Sequence, residues 1–146
     1  MNTFGIFNIS AAGMNLERLR LETSAVNLAN ANTTSGPDGV RYRPLQVIAQ
    51  PNSLSFEQIF GGLTPGVPMA PLHDVEVRAL ETATRRVYDP GHPNADDQGF
   101  VTFPDVNPVS EMVNLVTVTR AYEANVRALN AAKSMALKAL EIGNDR

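Results

Sequence analysis

Residues 107–143 read NPVSEMVNLVTVTRAYEANVRALNAAKSMALKALEIG. Asn107 is a suitable N-cap, and Pro108 sits in the first turn, where its missing N–H is not needed. Beyond it, Met112, Leu115, Thr119, Tyr122, Val126, Leu129, Lys133, Ala136 and Leu140 recur at three- and four-residue steps. That is helical periodicity with the 3.5-residue average of a coiled-coil seam. Glu123 and Arg127 form an i,i+4 pair in the favourable order. Lys133 and Lys138 lie toward the negative end of the helix dipole, and Gly143 is a natural stop. A helix of this span is roughly 50 Å long and needs something to pack against.

The matching stripe lies at the other end of the chain, from about Ile6 to Asn32. Ile9, Ala12, Leu16, Leu19, Thr23, Val26 and Asn30 share the same alternating steps, and Met14, Leu21, Ala25 and Leu28 widen the stripe. Thr33-Thr34-Ser35-Gly36-Pro37 ends it, because Gly leaves a helix easily and Pro cannot continue one. The expected fold is therefore mainly α: an antiparallel coiled coil of N- and C-terminal helices with a small irregular β region between them. Residues 1–35 and 108–146 would form one discontinuous domain, with 36–107 inserted. Val113, Val116, Met135 and Leu137 fall off the seam, as do Met14, Leu21 and Leu28. Either the β region or a neighbouring subunit has to cover them.

The middle is polar and broken by Gly and Pro. Val40 to Gln50 reads as extended, interrupted at Pro44. Asn52 to Leu72 reads as a long loop with at most a turn of helix over residues 55–60. Residues 75–80 alternate as a strand does, with 85–88 and 100–103 as candidate partners for it.

With 146 residues, the length suits one domain. Hydrophobic residues make up 43%, aromatics only 6%, and Trp is absent, so Ala, Leu, Val and Met must build the core. The net charge of −3 argues against a nucleic-acid binder. Residues 33–109 carry five arginines against nine acids, while the two ends are near neutral. The absence of Cys excludes disulfides and thiolate metal sites. No stretch approaches the ~20 apolar residues that span a bilayer, and Met1-Asn2-Thr3-Phe4 shows no cleaved-signal pattern.

Two clusters invite a sharper reading. Asn27, Asn30 and Asn32 place amides on adjacent turns, where they can cap a fraying helix end or bond backbone across a subunit interface. Residues 89–99 gather carboxylates with His92. Read from Asn94, they half-match a calcium loop through Asn94, Asp96, Gln98, Gly99 and Asp105, yet the first ligand is not Asp and the last is too short. A solvated turn is the expectation, and no metal is assigned. For catalysis, neither His73 nor His92 stands in a nucleophile context, and no Gly-rich phosphate loop follows a strand. The chain reads as a non-enzyme without a cofactor.

The run Ser24-Ala25-Val26-Asn27-Leu28-Ala29-Asn30-Ala31-Asn32 resembles the N-terminal signature of bacterial flagellar rod and hook proteins. Arg120-Ala121-Tyr122-Glu123-Ala124-Asn125-Val126, followed by Leu129-Asn130-Ala131-Ala132-Lys133-Ser134-Met135, resembles their C-terminal signature. Gly36-Pro37-Asp38-Gly39 with Tyr42-Arg43, the run from Tyr88 to Asp96, Gly99-Phe100-Val101, Pro104 to Asn107 and Glu111 to Asn114 are similar to the proximal rod family of the FlgC type. The stretch 51–72 is longer than that pattern.

The resemblance implies a structural subunit of the flagellar basal-body proximal rod. Such a subunit leaves the cytoplasm through the flagellar type III export apparatus, without a cleaved signal, and polymerises in the periplasm into a torque-transmitting drive shaft. It implies partners in further copies and in other rod proteins: proximal and distal rod subunits and the protein joining rod to membrane ring. It implies neither nucleic acid nor membrane insertion. The expected assembly residues are Leu16, Leu19, Val26, Asn27, Asn30, Met112, Leu115, Tyr122, Val126, Leu129, Asn130 and Lys133. The residues alone also admit a self-associating helical adaptor outside the flagellum.

Overall fold

The structure is a computed structural model that describes residues 3–34, 41–51, 73–81 and 84–144. Its elements, in chain order, are α1 (Thr3–Ala29), β1 (Leu45–Pro51), β2 (His73–Ala79), β3 (Thr84–Tyr88), β4 (Phe100–Pro104) and α2 (Pro108–Asn144). The expected helical turn at 55–60, the 36–39 motif and the loop of 52–72 lie outside the described residues.

The two long helices pack on each other and run antiparallel. Asn27 meets Glu111, and Gly13 lies against Asn125, so fourteen residues back along α1 correspond to fourteen forward along α2. At the same step Thr3 is level with about Met135, and the end of α2 runs on past the start of α1.

Asn107 caps α2 as its type suggests. Its Oδ1 accepts from the Val109 N–H at 3.0 Å and the Ser110 N–H at 3.3 Å. The helix passes through Gly143 to Asn144, one residue beyond the expected stop, a difference within ordinary fraying. At its other end α1 stops at Ala29, three residues short of the expected limit. Asn30 Nδ2 donates back to the Val26 carbonyl at 2.8 Å, and Ala31 N–H turns to Leu28 O in a tighter 3₁₀-type bond.

The strands form two separate antiparallel pairs, β1 with β2 and β3 with β4. Leu45 faces Ala79 and Pro51 faces His73; Thr84 faces Pro104 and Tyr88 faces Phe100. This corrects the expectation that 85–88 and 100–103 would pair with 75–80. The cause is local. Asp96 Oδ1 accepts from the Gln98 and Phe100 N–H groups, closing β3 on β4. Leu80 N–H continues the other ladder to Pro44 O at 2.8 Å. Gly99 has φ of 79°, and a Cβ there would stand 2.9 Å from the Tyr88 ring, so this turn requires Gly.

The buried apolar set is small. Among the described residues it comprises Ala31, Val101, Val106, Val118 and Ala132 together with Pro44 and Pro104, and Val101 is the largest side chain that is fully buried. Val118 and Ala132 lie along α2, Val101 and Val106 on and after β4, and Ala31 just past α1, where the β3–β4 hairpin and the chain after α1 form a junction. Asn94 Nδ2 donates to Thr34 Oγ1 at 2.7 Å across that junction.

Candidate assembly surface

The face that α1 turns toward α2 is built from small and polar residues. Ser10, Ser24 and Asn27 are buried on it, as is Ala31 in the turn just past it, and Gly13, Glu17 and Arg20 are half-buried. Their steps of three and four are those of the apolar stripe, displaced by one residue. The opposing line on α2 includes Glu111, Leu115, Val118, Asn125, Leu129, Ala132 and Ala136. Small side chains let the two backbones come close. A Cβ at Gly13 would lie 3.0 Å from the Asn125 amide nitrogen.

The contact between the helices therefore differs from the stripe read in the sequence. Leu16, Leu19, Leu115, Val126 and Leu129 are half-buried, flanking or sharing the contact. Asn27 is buried, and Asn30 is half-buried in the turn. Val26, Met112, Tyr122, Asn130 and Lys133 are exposed. Close approach decides this: a stripe of Val, Met and Tyr would hold the helices further apart than Ser, Gly and Ala do.

One polar cluster ties the helix pair to the β region. Asn27, only 3% exposed, presents Oδ1 to the Leu45 N–H at 2.8 Å and donates from Nδ2 to the Leu45 carbonyl at 2.9 Å. Tyr42 Oη donates to the same Oδ1 at 2.7 Å. Nδ2 also reaches Glu111 Oε1 on α2 at 3.4 Å, a longer contact. Burial, and then the Glu111 charge, raise the Tyr42 phenol above its ordinary value. Glu111 Oε2 is buried with no hydrogen-bond partner. Asn30 thus caps the helix end as read, while Asn27 bonds backbone within its own chain and not across a subunit interface.

In the acidic loop the Asp96 carboxylate is taken up locally. Besides its two backbone bonds it accepts from Arg86 at 2.6 Å. Hydrogen bonds led by the Phe100 N–H hold its carboxyl below the usual range. The described residues contain no group of three or more His, Cys, Asp or Glu able to hold a metal ion.

Many larger apolar side chains are left exposed. Ile9, Leu21 and Val26 on α1 are exposed, as are Val109, Met112, Val113, Val116, Met135, Leu137, Leu140 and Ile142 on α2. A family model described as flagella basal body rod protein matches residues 7–37, covering most of α1. Another, described as flagellar basal body rod FlgEFG protein C-terminal, matches residues 97–142, covering β4 and most of α2. The flagellar basal-body rod protein FlgC of Escherichia coli O6:H1 is 41% identical over 143 residues, covering 98% of this chain and 99% of that protein. Bacillus subtilis FlgC is 39% identical over 150 residues, with the same coverage. Borreliella burgdorferi FlgC is 34% identical over 154 residues, covering 97% and 98%.

The chain belongs to the FlgC family of flagellar basal-body rod proteins. The two family matches fall on the two helices and on the junction that feeds α2. Tyr42, Glu111, Gly13 and Asn125 were not singled out as site residues by the sequence, although Tyr42, Glu111 and Asn125 belong to the motifs that carry the resemblance. The signal for the close contact was present: Ser10, Ser24 and Ala31 stand at multiples of seven, with Gly13 three residues after Ser10, beside the larger stripe. Among the described residues no helix is long and apolar enough to cross a membrane.

Proposed function

We propose that this FlgC-family chain is a structural subunit of the flagellar basal-body rod, acting through packing and without chemistry of its own. The observation that carries the reading is the outward apolar surface. A helix pair whose contact is lined by Ser, Gly and Asn on α1 and by Leu115, Val118, Leu129 and Ala132 on α2, and which leaves Ile9, Leu21, Val26, Met112, Val113 and Val116 exposed, is suited to being packed on by neighbours. The relatives' name supplies the assembly.

In this reading the terminal helices form an antiparallel coiled-coil domain split by the inserted β region, and neighbouring subunits complete its packing. Val26, Met112 and Tyr122 contribute exposed surface. Leu16, Leu19, Leu115, Val126 and Leu129 support both the intrachain contact and its flanks. Asn30, Asn130 and Lys133 supply polar contacts at the edge, and Asn27 holds the β region in place. Partners are further copies and the other rod subunits, including the one that joins the rod to the membrane ring. The chain reaches the periplasm through the flagellar export apparatus. Close-packed interfaces resist compression, so torque passes from subunit to subunit along the rod.

The test is to express a tagged copy in a strain lacking the gene and purify hook–basal bodies. Restored swimming with the tag present in those particles supports the reading. Restored swimming with the tag absent from them removes it in favour of an adaptor outside the flagellum.

A further inference from the structure

The turn between β3 and β4 contains a hydrogen bond that depends on the protonation of a ring. His92 Nδ1 accepts the Asn94 N–H at 3.1 Å, two residues further on. This is the arrangement of an Asx turn, with an imidazole nitrogen standing where a side-chain carbonyl oxygen would. A nitrogen that accepts carries no proton, so the neutral ring holds its proton on Nε2. Asn94 in turn reaches out of the hairpin: its Nδ2 donates to Thr34 Oγ1, in the chain just past α1, at 2.7 Å. His92 is thus one residue-to-residue step from the link between the hairpin and the helix pair.

We propose that His92 is a proton-sensitive latch on this link. The neutral ring holds the Asn94 backbone and with it the side chain that bonds Thr34; the imidazolium loosens both. A proton on Nδ1 turns the acceptor into a donor, and two donors then face each other. Imidazole is the side chain whose charge ordinarily changes between pH 5 and 8, so the device works at mild acidity.

The ring is fixed enough for its charge to be felt. It is half-buried, with its edge toward the Phe103 ring at 6.5 Å between centroids. Its own N–H donates to the Asp89 carbonyl at 3.2 Å, and its carbonyl accepts from the Ala95 N–H at 3.0 Å. The charged groups around it are Arg85 on β3, whose guanidinium lies over the same Phe103 ring, and Asp89, Asp96 and Asp97 on its own turn. Asp96 is engaged by Arg86 and the Gln98 and Phe100 N–H groups, and its lowered carboxyl changes charge at more acid pH than an imidazole. On the α1 side the group bonded to Asn94 is the uncharged Thr34. The latch stands on these contacts within one chain and is independent of the rod reading.

The test is nuclear magnetic resonance of the labelled full chain between pH 7.5 and 5. The Asn94 amide and the Thr34 methyl should move with the His92 ring signals. Exchange of the Asn94 amide with water, corrected for its intrinsic pH dependence, should rise about fivefold, the worth of one hydrogen bond. His92→Asn offers an oxygen to the same N–H and cannot titrate, so the Asn94 and Thr34 signals should stay level across that range. Asn94 and Thr34 signals that do not follow the ring in the unmodified chain overturn the latch, as does the same movement in the His92→Asn variant.

Discussion

The side-chain amide of Asn27 brackets the backbone of Leu45, accepting from its N–H at 2.8 Å and donating to its carbonyl at 2.9 Å. A residue on a helix thereby takes the place that a neighbouring strand would fill. Asn27→Ala leaves the Leu45 backbone groups and the Tyr42 hydroxyl short of a partner and is expected to cost about 2–3 kcal/mol in urea unfolding. Asn27→Asp keeps the acceptor, loses the donor and sets a carboxylate beside Glu111. It should be at least as destabilising at neutral pH and should recover partly on acidification.

Gly13 tests the close approach of the helices. A Cβ there meets the movable end of the Asn125 side chain, so Gly13→Ala is expected to be near neutral, helped by better helix propensity. Gly13→Leu cannot be absorbed that way and should destabilise by about 1–3 kcal/mol. Thermal unfolding of the two variants separates these effects.

The Asp96 carboxyl has a lowered pKa in the folded chain. Its bonds therefore stabilise the β3–β4 turn fully above the unfolded carboxyl value of about 3.9, and that contribution disappears as pH falls through the lower folded value. Nuclear magnetic resonance titration should show the Gln98 and Phe100 amides moving together in that acid window. Asp96→Asn should remove the transition.

Tyr42 gives the opposite limb. Its folded pKa is raised, so its stabilisation is complete below the unfolded value of about 10 and is lost as pH climbs from there through the folded value. Tyr42→Phe should weaken the chain at neutral pH by about 1 kcal/mol, the ordinary worth of one hydrogen bond, and flatten the alkaline decline.

Helices, caps and the strand-like segments were legible because each rests on a local pattern. Asn107 followed by Pro108 marks a helix start wherever it occurs, and the stripes of 9–30 and 112–140 keep their period. The seam was legible in period and only partly in phase: Thr23, Leu115, Leu129 and Ala136 are buried or half-buried as read, while Val26, Met112 and Tyr122 are exposed. Large side chains outweigh small ones in a hydrophobic reading, and Ser10, Gly13 and Ser24 are chosen for closeness, which the sequence does not price. Strand partnership was missed because it depends on which turn closes first, as at Asp96 and Gly99. The Asn27 clamp was half legible: a buried amide was foreseeable, its partner eighteen residues away was not.

Electron microscopy of purified basal bodies from a gene-deletion strain shows whether the rod needs this chain. Basal bodies lacking a completed rod and hook, restored by the wild-type gene, are the predicted result. Complete rods and hooks in the deletion strain would contradict it.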